Sequence, residues 1–314
     1  MKKALALVLS LVFVLSCVFV LAACGGDDAG TTASDSTAAD GSTEAGSEAG
    51  SDSAPANADG YVIAVPNDPS NEARALKILE SLGYIKLKED AGLTATKLDI
   101  VENPLNIEIK EIEAAQLPNF LADVDFAVIN SNYAIDAGLS PANDALALEG
   151  AYSDYSNVLA VKADNKDADL TKALVAALSS QQVADFIADK YNKDVLSVVE
   201  NPGDGFDASL DYAALAGQTI SVAASPTPHA EILEVAKEIL AEKDITLDIK
   251  VFTDYVQPNL VVDQGEVYAN FFQHVPYLNN FNEENGTNVV EVLAVHVEPM
   301  GVYAGKTNAL PTVE

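Results

Sequence analysis

The chain has 314 residues, which indicates about two domains once non-globular segments are set aside. Its 48 acidic residues against 17 lysines and arginines give a formal net charge of −31, so nucleic acid and anionic lipid are poor partners. The two cysteines, Cys17 and Cys24, both lie in a short N-terminal segment, which excludes disulfides and thiolate metal sites from the rest of the chain.

Residues 1–24 have the pattern of a secretory signal. Lys2 and Lys3 precede an apolar run, and the segment closes on LAAC, small residues ahead of Cys24. One interpretation is an ordinary signal peptide that happens to contain cysteines, and the other is a lipobox with Cys24 as the lipidated residue. LAAC resembles bacterial lipoprotein signals and favours the lipobox. Two acyl chains on Cys24 would anchor the protein to a membrane without spanning it.

Residues 25–59 are predicted to be a disordered acidic linker of glycine, serine, threonine and alanine. This segment carries eight acidic residues and no lysine or arginine. It contains almost nothing apolar to bury, so it cannot compensate the entropy cost of ordering. We expect the linker to let the folded part move on its anchor.

From Tyr61 onward, short runs rich in β-branched residues alternate with helical patterns. The predicted strands are YVIAV, IEIKEI, VDFAVI, NVLAV, QTISVAA, LDIKVF and VVEVLAV. Between them, NEARALKILESLG and PHAEILEVAKEILAEK repeat apolar residues every three or four positions, as helices do. This alternation predicts α/β layers around mostly parallel sheets.

The stretch VPNDPSNEAR predicts a strand that ends near Val65, a turn, and a helix that opens near Ser70. That helix should close at Gly83, a typical C-terminal cap. A helix N-terminus with Arg74 in its first turns suits a ligand carboxylate. The alternative is a capped helix whose Arg74 pairs with a surface acid.

The segments FTDYVQPN and YANFFQHVPYL concentrate aromatic residues in a chain that is only 7% aromatic. Their rings belong to Tyr255, Phe271, Phe272, His274 and Tyr277. Aromatic groups around one imidazole suit a pocket for an apolar side chain with a polar end. The alternative is core packing around a hydrogen-bonded histidine.

No segment predicts catalysis. A nucleophile elbow, a phosphate loop and an HExxH motif are all missing from the sequence. His229 follows Pro228 at a predicted helix start, so we expect a structural role. The three histidines are not spaced as a metal motif. We therefore expect no enzyme, no cofactor and no metal site.

Several of these segments together resemble the NlpA family, the methionine-binding lipoproteins of bacterial ABC importers. They include SPTPHAEILEVAKEIL, FTDYVQPNL, NFFQHVPYLNNFN, VHVEPMGVY, IAVPNDPSNEARALKILESLGYIKLK and AVINSNYAIDAGL, and they span Tyr61 to Pro202 and Gln218 to Lys306. In the family, the segments that resemble Gln218 to Lys306 come before those that resemble Tyr61 to Pro202. The order therefore resembles a circular permutation that opened a loop between Lys306 and Tyr61 and joined the former termini through residues 203–217.

The resemblance implies an α/β, two-lobed, type II periplasmic-binding-protein-like fold in circularly permuted order, with the ligand cleft between the lobes. On this reading residues 60–130 form lobe 2 and residues 131–314 form lobe 1. The opened loop would have connected the lobes. Residues 203–217 would be an exposed linker outside both sheets.

The resemblance also implies a ligand site. Arg74 would bind the ligand carboxylate with Asn71 beside it, and Asn130 and Asn157 would face the polar end of an amino acid. An aromatic group would enclose a thioether, which makes favourable contacts with rings. Its members are Tyr255, Phe272, His274 and Tyr277.

The function implied is a membrane-anchored solute-binding protein that captures L-methionine and delivers it to the permease and ATPase of an ABC importer. We expect a monomer, lipid-anchored through Cys24 on the extracytoplasmic face of the cell membrane, on a Gram-positive cell surface. One alternative is a methionine derivative or short peptide as ligand. Another is a surface ligand sensor or adhesin without a transport role, and an enzyme is the class with least support.

Overall fold

The computed structural model describes residues 60–150 and 155–313. The predicted signal, its lipidation residue Cys24 and the predicted linker therefore lie outside the described residues. Within the described ranges, no helix combines the length and the apolar character that crossing a bilayer requires.

Strands and helices alternate along the chain. The strands are β1 (Val62–Pro66), β2 (Lys86–Leu87), β3 (Ile100–Glu102), β4 (Glu108–Ile112), β5 (Phe126–Ile129), β6 (Ala145–Leu148), β7 (Asn157–Lys162), β8 (Leu196–Ser197), β9 (Thr219–Ala224), β10 (Thr246–Val251), β11 (Ala269–His274), β12 (Val289–Val297) and β13 (Gly301–Ala304). The α-helices are α1 (Pro69–Ser81), α2 (Ser131–Asp136), α3 (Pro141–Asp144), α4 (Asp169–Leu178), α5 (Gln181–Tyr191), α6 (Tyr212–Leu215), α7 (Glu231–Ala241), α8 (Gln257–Asp263) and α9 (Val275–Asn285). All seven predicted strands are confirmed.

The strands form two main sheets, each with a parallel part and an antiparallel part. The first has the order β4-β1-β5-β13-β6, and the second has the order β10-β9-β11-β7-β12-β8. Strand β1 pairs in parallel with β4 and β5, whereas β13 is antiparallel to β5 and β6. Likewise β9 is parallel to β10 and β11, whereas β7 is antiparallel to β11 and β12. The expectation of mostly parallel sheets is therefore wrong. A strand that arrives from the other sheet can pair antiparallel, because it does not need the crossover connection that joins two parallel strands of one sheet.

The chain passes between the sheets twice, from β6 to β7 and back from β12 to β13. Strands β6 and β13 belong to the sheet of β1. The expected division at residue 130 therefore does not coincide with sheet membership, because 145–148 and 301–304 return to the first sheet. The first sheet is therefore built from strands that lie near both ends of the described chain.

The two ends of the folded part meet at Asp125. Its carboxylate accepts hydrogen bonds from the Val62 backbone N–H at 2.8 Å and from the Thr307 hydroxyl at 3.1 Å. Both ends therefore attach to the first sheet. A loop between Lys306 and Tyr61 would lie within one lobe, so the expectation that it connected the lobes is wrong.

Helix α1 begins and ends where its sequence signals lie. Asp68 caps its N-terminus by accepting the Asn71 backbone N–H at 3.0 Å. Beyond its last turn, Gly83 has a φ of +75° and its N–H donates to the Glu80 carbonyl. The buried side of the helix packs on the first sheet through Leu76 and Leu79. These contacts fix the position of its first turns, which face the second sheet.

Residues 203–217 lie outside both sheets and most of them are exposed, as expected, but the segment is also anchored to the second sheet's core. The segment contributes α6 but no strand to either sheet. Leu215 is buried, and Phe206 and Tyr212 pack against the core cluster. Their rings stand perpendicular with centroids 5.7 Å apart, and Lys243 Nζ lies 4.3 Å from the Phe206 ring. The polar composition of this segment did not indicate the packing, because a few aromatic side chains are enough to hold the segment against the core.

Candidate functional site

A cavity lies between the two sheets, near both connections that join them. The empty space around its lining side chains is about 330 Å³, a figure that includes open solvent at the mouth. It is lined by Asn71, Arg74, Asn130, Ser131, Asn132, Asn157, Tyr255, Phe272, Gln273, His274, Tyr277 and Glu298. All eight residues predicted to bind ligand are therefore brought together in one cavity. Their binding role stays a prediction.

A chain of hydrogen bonds crosses the cavity from α1 to β11. The Asn71 side-chain amide donates to the Asp68 carboxylate at 2.8 Å. The Asn71 oxygen accepts from Asn130 Nδ2 at 2.8 Å and lies 3.0 Å from His274 Nε2. Since His274 Nδ1 accepts the Tyr277 backbone N–H, its proton lies on Nε2, which donates to Asn71. The network fixes the amide orientations and couples the two sheets.

His274 is uncharged in this network. Burial, followed by the positive charge of Arg74, lowers its pKa well below the usual value. The Oδ1 atom of Asn130 is buried and has no hydrogen-bond partner among the described residues. The Nε2–H group of His274 is therefore already bonded to Asn71, whereas Oδ1 of Asn130 is free to accept a hydrogen bond from a ligand.

Arg74, the only arginine in the sequence, is held rigidly at the cavity wall. Its Nε and Nη2 atoms donate to the two carboxylate oxygens of Glu149 at 2.8 and 2.5 Å, and both side chains are less than 10% exposed. Nη2 also donates to the Glu298 carbonyl oxygen at 2.8 Å, and the guanidinium carbon lies 4.5 Å from the Tyr155 ring centroid. The acid that pairs with Arg74 is thus buried and not on the surface. Nη1 makes no hydrogen bond to the described residues, so a ligand carboxylate would meet that nitrogen first.

Aromatic side chains form the opposite, apolar part of the cavity. Phe272 and Tyr277 belong to a small buried cluster against which Tyr255 packs. The ring centroids of Tyr255 lie 5.9 Å from Phe272 and 5.7 Å from Tyr277. The Tyr277 hydroxyl donates to the Tyr255 carbonyl and the Tyr255 hydroxyl to Asn132 Oδ1. With these hydroxyls paired, the rings offer apolar surface to a ligand side chain.

Phe271 does not join this aromatic cavity. It precedes Phe272 on β11, and successive strand residues point to opposite faces. Phe271 lies in the core behind the sheet, against the rings of His229 and His296. The aromatic segment therefore serves both alternatives considered for it, with one face in the core and the other in the cavity.

His229, His296 and Glu298 form a buried cluster next to the cavity, with possible ligand atoms within 4.8 Å of one another. His296 Nε2 lies 2.7 Å from Glu298 Oε1, whereas His229 Nε2 lies 3.0 Å from Asn157 Oδ1 and 3.3 Å from Glu298 Oε1. A metal-bound histidine usually donates its second ring N–H to an acceptor. His296 Nδ1 has no such partner among the described residues. The arrangement fits two histidines that donate to a carboxylate better than it fits a metal centre.

Four of the lining residues were not predicted from the sequence: Ser131, Asn132, Gln273 and Glu298. Ser131 Oγ donates to the Pro299 carbonyl, which ties α2 to the connection between the sheets. Glu149 and Tyr155, which position Arg74, were also missed. Polar residues next to a predicted site residue are the signal that could have found Asn132 and Gln273. Glu298 and Glu149 carry no such local signal.

Comparisons with known proteins point to one family. A sequence profile described as NlpA lipoprotein matches residues 55–199 and 220–314. The D-methionine-binding lipoprotein MetQ of Escherichia coli strain K12 is 48% identical over 127 residues, 40% of this chain and 47% of that protein. Membrane lipoprotein TpN32 of Treponema pallidum is 46% identical over 132 residues, 42% and 49% of the two chains. The chain spans about half the length of the curated relatives it matches.

Among solved structures, one described as a nutrient binding protein from Burkholderia cenocepacia bound to methionine is 51% identical. The alignment covers 44% of this chain and 58% of that chain, with a TM-score of 0.42. The family profile matches far more of the chain than any of these three pairwise alignments, since its two segments leave only residues 200–219 unmatched between them. On the strength of that match, the chain belongs to the NlpA lipoprotein family.

Proposed function

We propose that this protein is an extracytoplasmic methionine-binding lipoprotein that supplies an ABC importer. The observation that carries the proposal is the joint placement, in one cavity, of groups suited to both ends of methionine. Arg74 and the asparagines suit the charged amino-acid end, while Phe272 and Tyr277 suit a thioether. The MetQ relatives are also named for binding D-methionine.

The mechanism follows from the position of the cavity between two sheets. Ligand that contacts both α1 and β11 stabilises the closed arrangement of the two lobes over an open one. The hydrogen bond that His274 Nε2 donates to Asn71 Oδ1 already joins these walls. Closure is then the state that a permease and its ATPase would receive. An acyl anchor on Cys24 would keep the protein beside these partners at the outer face of the membrane.

We also propose that the chain is a circularly permuted member of the family. An alignment that keeps chain order can include only one of two exchanged blocks, and the pairwise matches of 127 and 132 residues are each the size of one block. The unmatched residues 200–219 coincide with the segment that would join the former termini. The ends of the folded part meet at Asp125, as the two sides of an opened loop would.

Calorimetric titration of the purified folded part with L-methionine and D-methionine tests the ligand. We expect one-to-one binding of at least one enantiomer. Leucine should bind up to about tenfold more weakly, because it lacks the sulfur contacts with the aromatic rings. Absence of binding to both enantiomers would contradict the proposal. Equal affinity for leucine would keep an amino-acid site but remove the preference for methionine.

A further inference from the structure

A second cavity lies at the edge of the second sheet, and we call it the edge groove. Its walls are helix α4, residues 291–294 of β12 and the chain at residues 201–207. Its volume is about 770 Å³, which lies within the range for binding pockets. No residue lines both the edge groove and the cavity between the sheets. The edge groove is therefore a separate site.

One wall of the edge groove is a strand edge without a neighbour. Strand β8 pairs with β12 only at its last two residues, His296 and Val297. The Val198 N–H still donates to the Val295 carbonyl, and the chain then leaves this edge. Among the described residues, no strand pairs with residues 291–294 on this side. The backbone groups of this edge can therefore pair with another strand.

The sequence of β12 carries few of the charges that protect edge strands. Natural edges often carry lysine or proline, whereas VVEVLAVHV contains neither and has Glu291 as its acid. A bulge adds Val292 between Glu291 and Leu293, so that Val292 and Leu293 both line the groove. Val175 and Phe206, which are also partly buried, extend this apolar wall. The open edge thus lies beside apolar side chains.

Part of the edge groove is formed by residues outside the family match. The family profile leaves residues 200–219 unmatched, and this segment includes the wall at 201–207. Within it, the Phe206 ring is held between Tyr212, at 5.7 Å between ring centroids, and Lys243 Nζ, at 4.3 Å from the ring. The groove is therefore a feature of this chain and not of the matched segments alone.

Charge indicates which kind of chain would fill the edge groove. Three acidic residues and two lysines line it: Asp167, Asp207, Glu291, Lys166 and Lys172. Lys172 is already paired with Asp169 at 3.1 Å. A second copy would bring the same net charge of −31, and residues 25–59 carry eight acidic residues and no lysine or arginine. Both would be repelled, whereas a basic segment of another protein would be attracted.

We propose that the edge groove binds an extended, basic segment of another polypeptide, which adds a strand to β12 beside residues 291–294. Its backbone pairs with the open edge, as in other cases of strand addition. Alternate side chains of a strand point to opposite faces, so apolar residues meet Val175, Phe206 and Leu293 while the basic residues between them face solvent near the acids. The inference goes beyond methionine capture, which uses none of these residues.

The test is titration of the full-length protein with a fluorescently labelled, capped hexapeptide in which lysine and valine alternate. We expect saturable one-to-one binding with a Kd below about 1 mM, measured by fluorescence anisotropy. The same peptide with glutamate in place of lysine should bind at least about fivefold more weakly. Absence of saturable binding, or equal binding of the two peptides, would overturn the inference.

Hydrogen–deuterium exchange locates the bound peptide. Exchange should slow at residues 291–294 when the lysine peptide is saturating, because their backbone groups gain partners. Strand β10 is the internal control, since it forms the opposite edge of the same sheet and should not change. Protection of β10 instead of β12, or of both equally, contradicts the proposed site. Protection of 291–294 that rises with protein concentration without peptide would assign this edge to a second copy, and would also overturn the inference.

Two variants test the groove itself. Ala176→Leu fills it from α4 and should weaken binding of the lysine peptide by at least about tenfold through steric exclusion. If this variant fails to fold, the exposed Glu291→Lys is decisive and should weaken binding about two- to fivefold. Glu238→Lys on α7 is its matched control, because Glu238 is exposed outside the groove, and should bind normally. Equal weakening by both charge changes would mean that only net charge matters, against the inference.

Discussion

At the scale of single residues, the site depends on a buried ion pair that serves two purposes. Glu149 holds the Nε and Nη2 edge of Arg74, and Tyr155 covers one face of the guanidinium. The bonds fix the side chain so that Nη1 remains for a ligand. Arginine suits this task better than lysine because its planar fork can engage a carboxylate with two donors and keep a third free. The pair is thus part of the fold as well as part of the candidate site.

Arg74→Ala should reduce both stability and methionine affinity. Removing one partner of a buried pair leaves Glu149 as an uncompensated charge, at a cost of about 3–5 kcal/mol in the free energy of unfolding. Loss of a charge-assisted bond to the ligand should weaken binding by at least about tenfold. Thermal unfolding and calorimetry measure the two effects. Lys77→Ala, on the same helix and outside the cavity, is the control and should bind normally.

A double variant separates the two purposes of Arg74. Arg74→Ala with Glu149→Ala removes both charges, so stability should recover in part relative to Arg74→Ala alone. Methionine affinity should not recover, because no donor for the carboxylate returns. Recovery of affinity together with stability would show that Arg74 acts only through the fold, and would move the carboxylate to another donor.

At the scale of elements, the segment 203–217 is a packed connection between β8 and β9. Gly205 has a φ of +93°, and a Cβ atom built there would lie 2.7 Å from Ile239 Cγ2. Glycine is needed at this position because the backbone turns in the left-handed region against α7. Gly203 has open space around its Cβ position and no positive φ. The two glycines lie in the same segment, but only Gly205 is restricted to glycine by its backbone and its neighbours.

Gly205→Ala should lower the free energy of unfolding by about 2 kcal/mol or more, through backbone strain and overpacking. Gly203→Ala should leave it nearly unchanged. Methionine affinity should stay the same in both, since neither glycine lines the cavity. Thermal unfolding of the two variants side by side decides the matter. Equal melting temperatures would show that the segment is as weakly held as its composition predicted.

At the scale of the whole molecule, the order of the blocks should matter little to the folded state. Both connections between the sheets, β6 to β7 and β12 to β13, lie within continuous chain. The loop that the proposed permutation opens would lie on one sheet, because Val62 and Thr307 both bond to Asp125. Since the same contacts form in either order, a permutation changes mainly the entropy of closing a loop, which depends weakly on length.

A gene that encodes the two blocks in the family's order tests whether block order affects folding and binding. It would begin at Gln218, run through Lys306, continue through a short loop into Gly60, and end at Pro202. We expect methionine affinity within about twofold of the original chain and a similar melting temperature, because loop closure contributes well under about 1 kcal/mol per doubling of length. A reordered chain that folds but does not bind methionine would show that the present order is needed for closure of the cavity.

The sequence by itself determined what depends on neighbours along the chain. The turn before Ser70 and the cap at Gly83 predicted the limits of α1, and β-branched runs predicted seven strands, because both signals act over a few residues. Resemblance of whole segments gave the family and the eight cavity residues. Only the tertiary structure decided which acid pairs with Arg74. This arginine is separated along the chain by 75 positions from Glu149 and by 224 positions from Glu298, whose carbonyl oxygen it also contacts. It also decided that β6 and β13 join the first sheet, that Phe206 and Tyr212 pack against the core, and that Glu298 lines the cavity. Each of these depends on burial and on contacts between distant segments, and no local pattern records either.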